Sequence, residues 1–152
     1  MQGEVNLNKG PSPKGGGLLH ASCVAFESRA VMISGASGSG KSALVLDLLT
    51  RGAQLVADDQ VQLTCQEDAL WASAPRAIKG RVEARGVGIL NAPTCDTAQV
   101  HLWIDMDKVE TKRLPEGHTI SQLGVTLPLL FKVPHPHFAP AILLYLSHGR
   151  SA

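Results

Sequence analysis

The sequence predicts an α/β domain in which a strand-rich mixed sheet carries one principal helix. Three observations predict it. A short apolar stretch, Ala30-Val31-Met32-Ile33, has the character of a buried strand. A glycine-rich run, Gly35-Ala36-Ser37-Gly38-Ser39-Gly40-Lys41-Ser42, follows it, and Ala43-Leu44-Val45-Leu46-Asp47-Leu48-Leu49 then reads as a helix. Further short segments, such as Val61-Gln62-Leu63-Thr64-Cys65, alternate in the manner of strands.

Residues 1–17 read as an unstructured tail, because Lys9 to Gly17 is rich in Gly, Pro and Ser and has no apolar period. Folded chain is expected over 18–152. Leu18 to Phe26 reads as a strand, Glu27-Ser28-Arg29 as a turn, and Ala30 to Ser34 as the strand that enters the glycine run. The helix opening at Lys41 should end near Arg51-Gly52, with the arginine in its last turn and the glycine as its cap. Gln54 to Ala57 is a strand ending at Asp58-Asp59. Val61 to Cys65 and Leu70 to Ser73 form a hairpin. Val82 to Leu90 is broken by a glycine turn, and Val100 to Asp105 is a strongly apolar strand. A loop around Arg113 to Gly117 precedes a strand region over Gly124 to Val133. Pro140 to Ser147 starts a C-terminal helix, with proline in its first turn.

The chain has 152 residues, 44% hydrophobic and 18% charged, with net charge +1, which suits one globular domain. This balance gives no electrostatic argument for nucleic acid or for an anionic membrane. Cys23, Cys65 and Cys95 form no C-x-x-C pair, so neither a disulfide framework nor a zinc site is expected, and a reducing cytoplasm fits. No apolar signal segment follows Met1-Gln2-Gly3-Glu4, and no apolar stretch is long enough to span a bilayer.

Gly35 to Ser42 spells the phosphate-binding loop G-x-x-x-x-G-K-[ST], in its expected place between strand and helix. Its glycines let successive N–H groups point at phosphate oxygens, and the helix N-terminus adds donors and dipole. Lys41 is expected on the β- and γ-phosphates of a nucleoside triphosphate, and the Ser42 hydroxyl on Mg²⁺. Asp58 and Asp59, which end an apolar strand shortly after the loop, suit a division between metal and proton handling. The alternative is a polar turn opening a hairpin. Asp105 is a second strand-terminal candidate, while Met106-Asp107-Lys108 reads as a solvated turn. Glu83, in Val82-Glu83-Ala84-Arg85-Gly86-Val87-Gly88, is explained equally by a surface ion pair before a turn. His135 and His137 suit a surface loop better than a metal site.

Together these pieces resemble the HPr kinase/phosphorylase family. His20 lies 15 residues before Gly35; Arg51-Gly52-Ala53-Gln54-Leu55-Val56-Ala57-Asp58-Asp59 fits R-G-x-x-L-[IV]-A-D-D; and Glu83 to Ile89 fits E-x-R-G-x-G-I. The resemblance covers roughly Leu18 to Leu130 and is to the compact form, which lacks the family's N-terminal domain. It implies a P-loop kinase domain with a strand-rich mixed sheet of the PEP-carboxykinase-like kind. It implies ATP- and Mg²⁺-dependent phosphorylation of a serine on HPr, the phosphocarrier of the sugar phosphotransferase system, and the reverse phosphorolysis with phosphate and pyrophosphate. By resemblance His20, Lys41, Asp58, Asp59 and Arg113 are catalytic, with Asp59 the favoured base. The loop Gly35, Ala36, Ser37, Gly38, Ser39, Gly40, Lys41 and Ser42 binds nucleotide, and Ser42 and Glu83 hold Mg²⁺. A hexamer is likewise implied. The family's P-G-R-N-like C-terminal run is replaced here by Val133-Pro134-His135-Pro136-His137-Phe138-Ala139, which bears on the reverse reaction. The alternatives are an ATP-binding regulatory module with reduced catalysis and a P-loop small-molecule kinase.

Overall fold

The computed structural model describes residues 16–75 and 79–152. Eleven strands and two helices run in the order β1 (Gly16–Leu19), β2 (Ser22–Phe26), β3 (Arg29–Ser34), α1 (Lys41–Thr50), β4 (Gln54–Ala57), β5 (Val61–Gln66), β6 (Ala69–Ser73), β7 (Arg81–Ala84), β8 (Gly88–Asn91), β9 (Thr97–Val109), β10 (His118–Gln122), β11 (Val125–Lys132) and α2 (Phe138–His148). Nine strands form one mixed sheet, in the order β1-β5-β6-β9-β3-β2-β4, with β11 joined to β9 and β10 joined to β11. Strands β7 and β8 form a separate two-stranded sheet.

Strand β9 organises the sheet. One edge of β9 pairs in parallel with β3. Its other edge pairs antiparallel with β6 over Thr97 to Gln99, then in parallel with β11 from Trp103 onward. The length of β9 comes from a run of buried residues, Leu102 to Met106, flanked by polar ends. Continuous apolar runs of this kind suit a strand covered on both faces.

One face of the sheet is covered by the helices. Val24, Val31, Ile33, Leu102 and Ile104 meet Leu44, Val45 and Leu48 of α1 and Ile142, Leu143 and Leu146 of α2. The opposite face curls on itself around Met32, Leu63, Leu70, Trp103, Ile120 and Leu129. Burying these side chains contributes about 1.5–3 kcal/mol apiece before entropy is counted.

The hairpins follow from turn chemistry. Glu27-Ser28, Glu67-Asp68 and Leu123-Gly124 all have positive φ at both central positions, the twist that two-residue hairpin turns require. The expected single strand over Leu18 to Phe26 is two strands, interrupted at His20-Ala21, because β1 pairs with β5 whereas β2 pairs with β3 and β4. Met106-Asp107-Lys108 is not a solvated turn but part of β9, with Met106 buried. Strand β10 was not anticipated. Arg51 caps α1 rather than lying in its last turn, and Gly52 follows with φ 106°. Of the expected tail, residues 1–15 lie outside the described residues, and Gly16-Gly17 open β1. Pro140 lies in the first turn of α2, as expected. Among the described residues no helix is long and apolar enough to cross a membrane.

Candidate active site

The sheet register gathers the glycine run, His20, Asp58 and Asp59 at one edge. Strands β3 and β9 are parallel, with Ser34 beside Asp105, and β11 runs alongside with Phe131 beside Asp105. Strand β2 is antiparallel to both β3 and β4, with Cys23 paired to Met32 on one side and to Ala57 on the other. Hence β3, β4, β9 and β11 all end at the same edge, and β2 begins there. Beyond the carboxyl ends of strands is where open α/β sheets bind ligands.

The glycine run leaves β3 and enters α1 at that edge. Gly35, Gly38 and Gly40 have φ of 151°, 87° and 98°. Side chains rarely adopt such values, and a Cβ at Gly35 would fall 2.6 Å from Ser39 Oγ. The Ser39 N–H donates to the Ala36 carbonyl at 3.0 Å, and Leu44 N–H to Gly40 at 3.1 Å. Lys41 is buried on the first turn of α1, and Ser42 beside it is exposed.

Asp58 and Asp59 follow β4 directly, and a buried residue missed by sequence reasoning holds both. Ser22 Oγ–H donates to Asp58 Oδ1 at 2.8 Å, and Ser22 Oγ accepts from the Asp59 N–H at 3.3 Å. Asp59 adopts φ 72°, a left-handed conformation that aspartate tolerates. Leu19 of β1 pairs with Val61 of β5, so His20 emerges opposite the aspartate turn. His20 Nδ1 lies 3.4 Å from Asp59 Oδ1, with both side chains largely exposed.

Strand β9 adds two carboxylates. Asp105, buried, accepts the Asp107 N–H on Oδ1 at 2.9 Å. Asp107 Oδ1 accepts the Ala36 N–H at 2.9 Å, so a strand residue ties down the loop. From β11, Lys132 Nζ donates to the Ser39 carbonyl at 2.8 Å. Asp107 and Lys132 were likewise missed; only the strand register reveals them.

Glu83 and Arg113 stand apart. Glu83 is exposed on β7 of the two-stranded sheet. Arg113 is exposed between β9 and β10, in a segment that Glu110 anchors. Among the described residues, neither makes a hydrogen bond or ion pair with the other expected site residues. Burial alone pushes the Glu110 carboxyl up, but the Lys112 N–H, the His118 ring and the Thr111 N–H outweigh it and hold the carboxyl below the usual glutamate range. His135 and His137 stack with centroids 5.7 Å apart. Among the described residues no group of three or more His, Cys, Asp or Glu could hold a metal unaided.

The donors present suit Mg²⁺ with a nucleotide. Mg²⁺ usually takes one or two protein oxygens and completes its shell with phosphates and water. The Ser42 hydroxyl is exposed beside a loop whose glycines leave no room for a Cβ at Gly35.

Residues 16–125 match the family described as HPr Serine kinase C-terminal domain. The chain is 37% identical to the HPr kinase/phosphorylase of Stenotrophomonas maltophilia, over 66% of this chain and 34% of that protein. Identity is also 37%, with the same shares, to that of Xylella fastidiosa. The chain thus spans about a third of the length of the curated relatives it matches (34%). Its fold superposes on the structure of the Hpr(Ser) kinase/phosphatase from Coxiella burnetii with a TM-score of 0.71, at 27% identity, covering 86% of this chain and 88% of that one. The match across most of its length and these relatives show that the chain belongs to the HPr serine kinase C-terminal domain family.

Proposed function

We propose that the chain transfers the γ-phosphoryl group of ATP to a serine hydroxyl of an HPr-like phosphocarrier protein. One observation carries the reading within this family: the glycine loop and the His20–Asp59 contact lie at the same sheet edge. Phosphoryl transfer depends on positioning and charge neutralisation more than on covalent chemistry.

In this reading the loop N–H groups and Lys41 hold the phosphates. Asp59 takes the proton of the attacking serine, oriented by His20. Ser22 and Asp58 fix the turn that presents Asp59. Mg²⁺, held by Ser42 and Glu83, would offset charge on the phosphate oxygens. Arg113 would supply a further cation to the transferred group. In reverse, an oxygen of inorganic phosphate attacks the phosphoserine phosphorus, the bond from phosphorus to the serine oxygen breaks, Asp59 returns its proton to that oxygen, and the phosphoryl group departs joined to the attacking phosphate as pyrophosphate. Action in a reducing cytoplasm belongs to the same proposal. Assembly into a homo-oligomer, a hexamer by resemblance, belongs to the same proposal.

The test is incubation with HPr, ATP and Mg²⁺, reading serine phosphate by mass spectrometry. Transfer that disappears in Lys41→Ala supports the reading. ATP binding without transfer to the cognate HPr would instead indicate a regulatory module, and transfer to a metabolite a small-molecule kinase. Pyrophosphate release from phosphorylated HPr tests the reverse direction.

A further inference from the structure

We propose that Lys132 is a positioning residue that sets the phosphate loop in its binding conformation before any ligand arrives. The proposal rests on the reading of Gly35 to Ser42 as a phosphate site. The argument starts from the end of β11. Phe131 pairs with Asp105, but the next residue, Lys132, pairs with Val109. Met106, Asp107 and Lys108 therefore bulge from β9 between those two pairs, beside the loop. The Glu110 N–H donates to the Lys132 carbonyl at 2.9 Å and pins the lysine backbone there.

From that anchor the side chain reaches the loop flank. Lys132 Nζ donates to the Ser39 carbonyl at 2.8 Å and lies 3.2 Å from where a Cβ on Gly40 would sit. Among the described residues no peptide is cis, so the N–H of the Ser39–Gly40 peptide points away from its carbonyl. With the carbonyl held toward Lys132, the Gly40 N–H faces away from β11. Among the described residues no backbone carbonyl accepts from that N–H. An ammonium on the carbonyl also polarises the same peptide, which makes its N–H a stronger donor.

Two further observations point to a loop held ready for an anion. Among the described residues no carboxylate pairs with Lys132, so its charge is not neutralised by an acidic side chain. The Ser39 hydroxyl is buried with no hydrogen-bond partner. At the other end of the loop Asp107 holds the Ala36 N–H. The loop is thus braced at its second residue by an anion from β9 and at its fifth by a cation from β11.

The experiment is calorimetric titration of the full chain and of Lys132→Met and Lys132→Arg with MgATP and, separately, with pyrophosphate. Amide spectra of each are recorded without ligand. Lys132→Met is expected to weaken both ligands by about tenfold or more, the size of one charge-assisted hydrogen bond. It should move the Gly40 amide resonance and raise the KM for ATP more than it lowers kcat. Lys132→Arg should restore most of the affinity. Wild-type affinity for both ligands in Lys132→Met, or an unmoved Gly40 resonance, would overturn the proposal. Failure of the kinase reading is a different result: no serine phosphate forms, while the pyrophosphate titration and the Gly40 resonance still report on Lys132.

Discussion

His20 and Asp59 meet across the turn that joins β4 to β5, Nδ1 to Oδ1 at 3.4 Å, with each side chain 68% exposed. A polar contact so exposed contributes at most about 1 kcal/mol to stability. Its value must be sought in chemistry. His20→Ala and Asp59→Asn are therefore expected to leave the melting temperature nearly unchanged. Each should lower phosphoryl transfer by about 10²- to 10⁴-fold, as loss of a general base does. Binding of MgATP should persist in both. A variant that keeps wild-type turnover would remove its residue from the mechanism.

Ser22 behaves differently, because it is buried and bonded to both aspartates. Ser22→Ala removes a donor from Asp58 and an acceptor from the Asp59 N–H. The expected loss of stability is about 1–3 kcal/mol. Urea unfolding measures this, and transfer should fall in parallel as the turn loosens. A change in turnover with no change in stability would contradict the structural part of the argument.

The core also reaches the loop. Trp103, fully buried, donates Nε1–H to Ser34 Oγ at 3.0 Å, and Ser34 Oγ–H donates to the Ile104 carbonyl at 3.3 Å. Ser34 is the residue before Gly35. Trp103→Phe deletes the donor and leaves a void, at a cost of about 2–4 kcal/mol. Denaturant unfolding should show it, together with weakened nucleotide binding.

The Glu110 carboxyl is held below the ordinary glutamate range in the folded chain. A depressed carboxylate contributes stability that is present above its unfolded value, near 4.3, and lost as pH falls through the folded value. Melting temperatures of wild type and Glu110→Gln should therefore differ most at neutral pH and converge below about pH 4. The measurement is a melting series from neutral to acid pH. A gap that stays constant throughout would rule out this contribution.

Local pattern made much of this molecule legible. The apolar strand before Gly35, the helix after it and the aspartates after β4 all stand where alternation and the motif put them. Three positive-φ turns account for hairpins, although Gly124 was read as the start of a strand region, and β10 before it was missed. The far end of β9 was misread as a turn because Asp107 and Lys108 are indeed exposed, but they form a bulge between the Asp105–Phe131 and Val109–Lys132 pairs, so the strand continues past them. Ser22, Asp107 and Lys132 have no motif. Their partners lie 36, 71 and 93 residues away in sequence, at distances only the sheet register closes. Conversely, Glu83 and Arg113 were expected from resemblance, and no contact in the described residues joins them to His20, Asp59 or the loop.

The two-stranded sheet that carries Glu83 has a thermodynamic consequence. It shares no ladder with the large sheet, and β8 is exposed along its whole length. Its buried side chains are Val82, which belongs to the cluster shared with α1 and α2, and Ala84. An isolated hairpin is marginal in water, and such units open below the global free energy of unfolding. Opening of the hairpin would expose Val82 and break no ladder of the nine-stranded sheet. Any affinity that Glu83 lends to a bound cation is therefore reduced by the work of ordering its own strand. A ligand that engages Glu83 should in turn slow amide exchange in β7 and β8 more than anywhere in the large sheet.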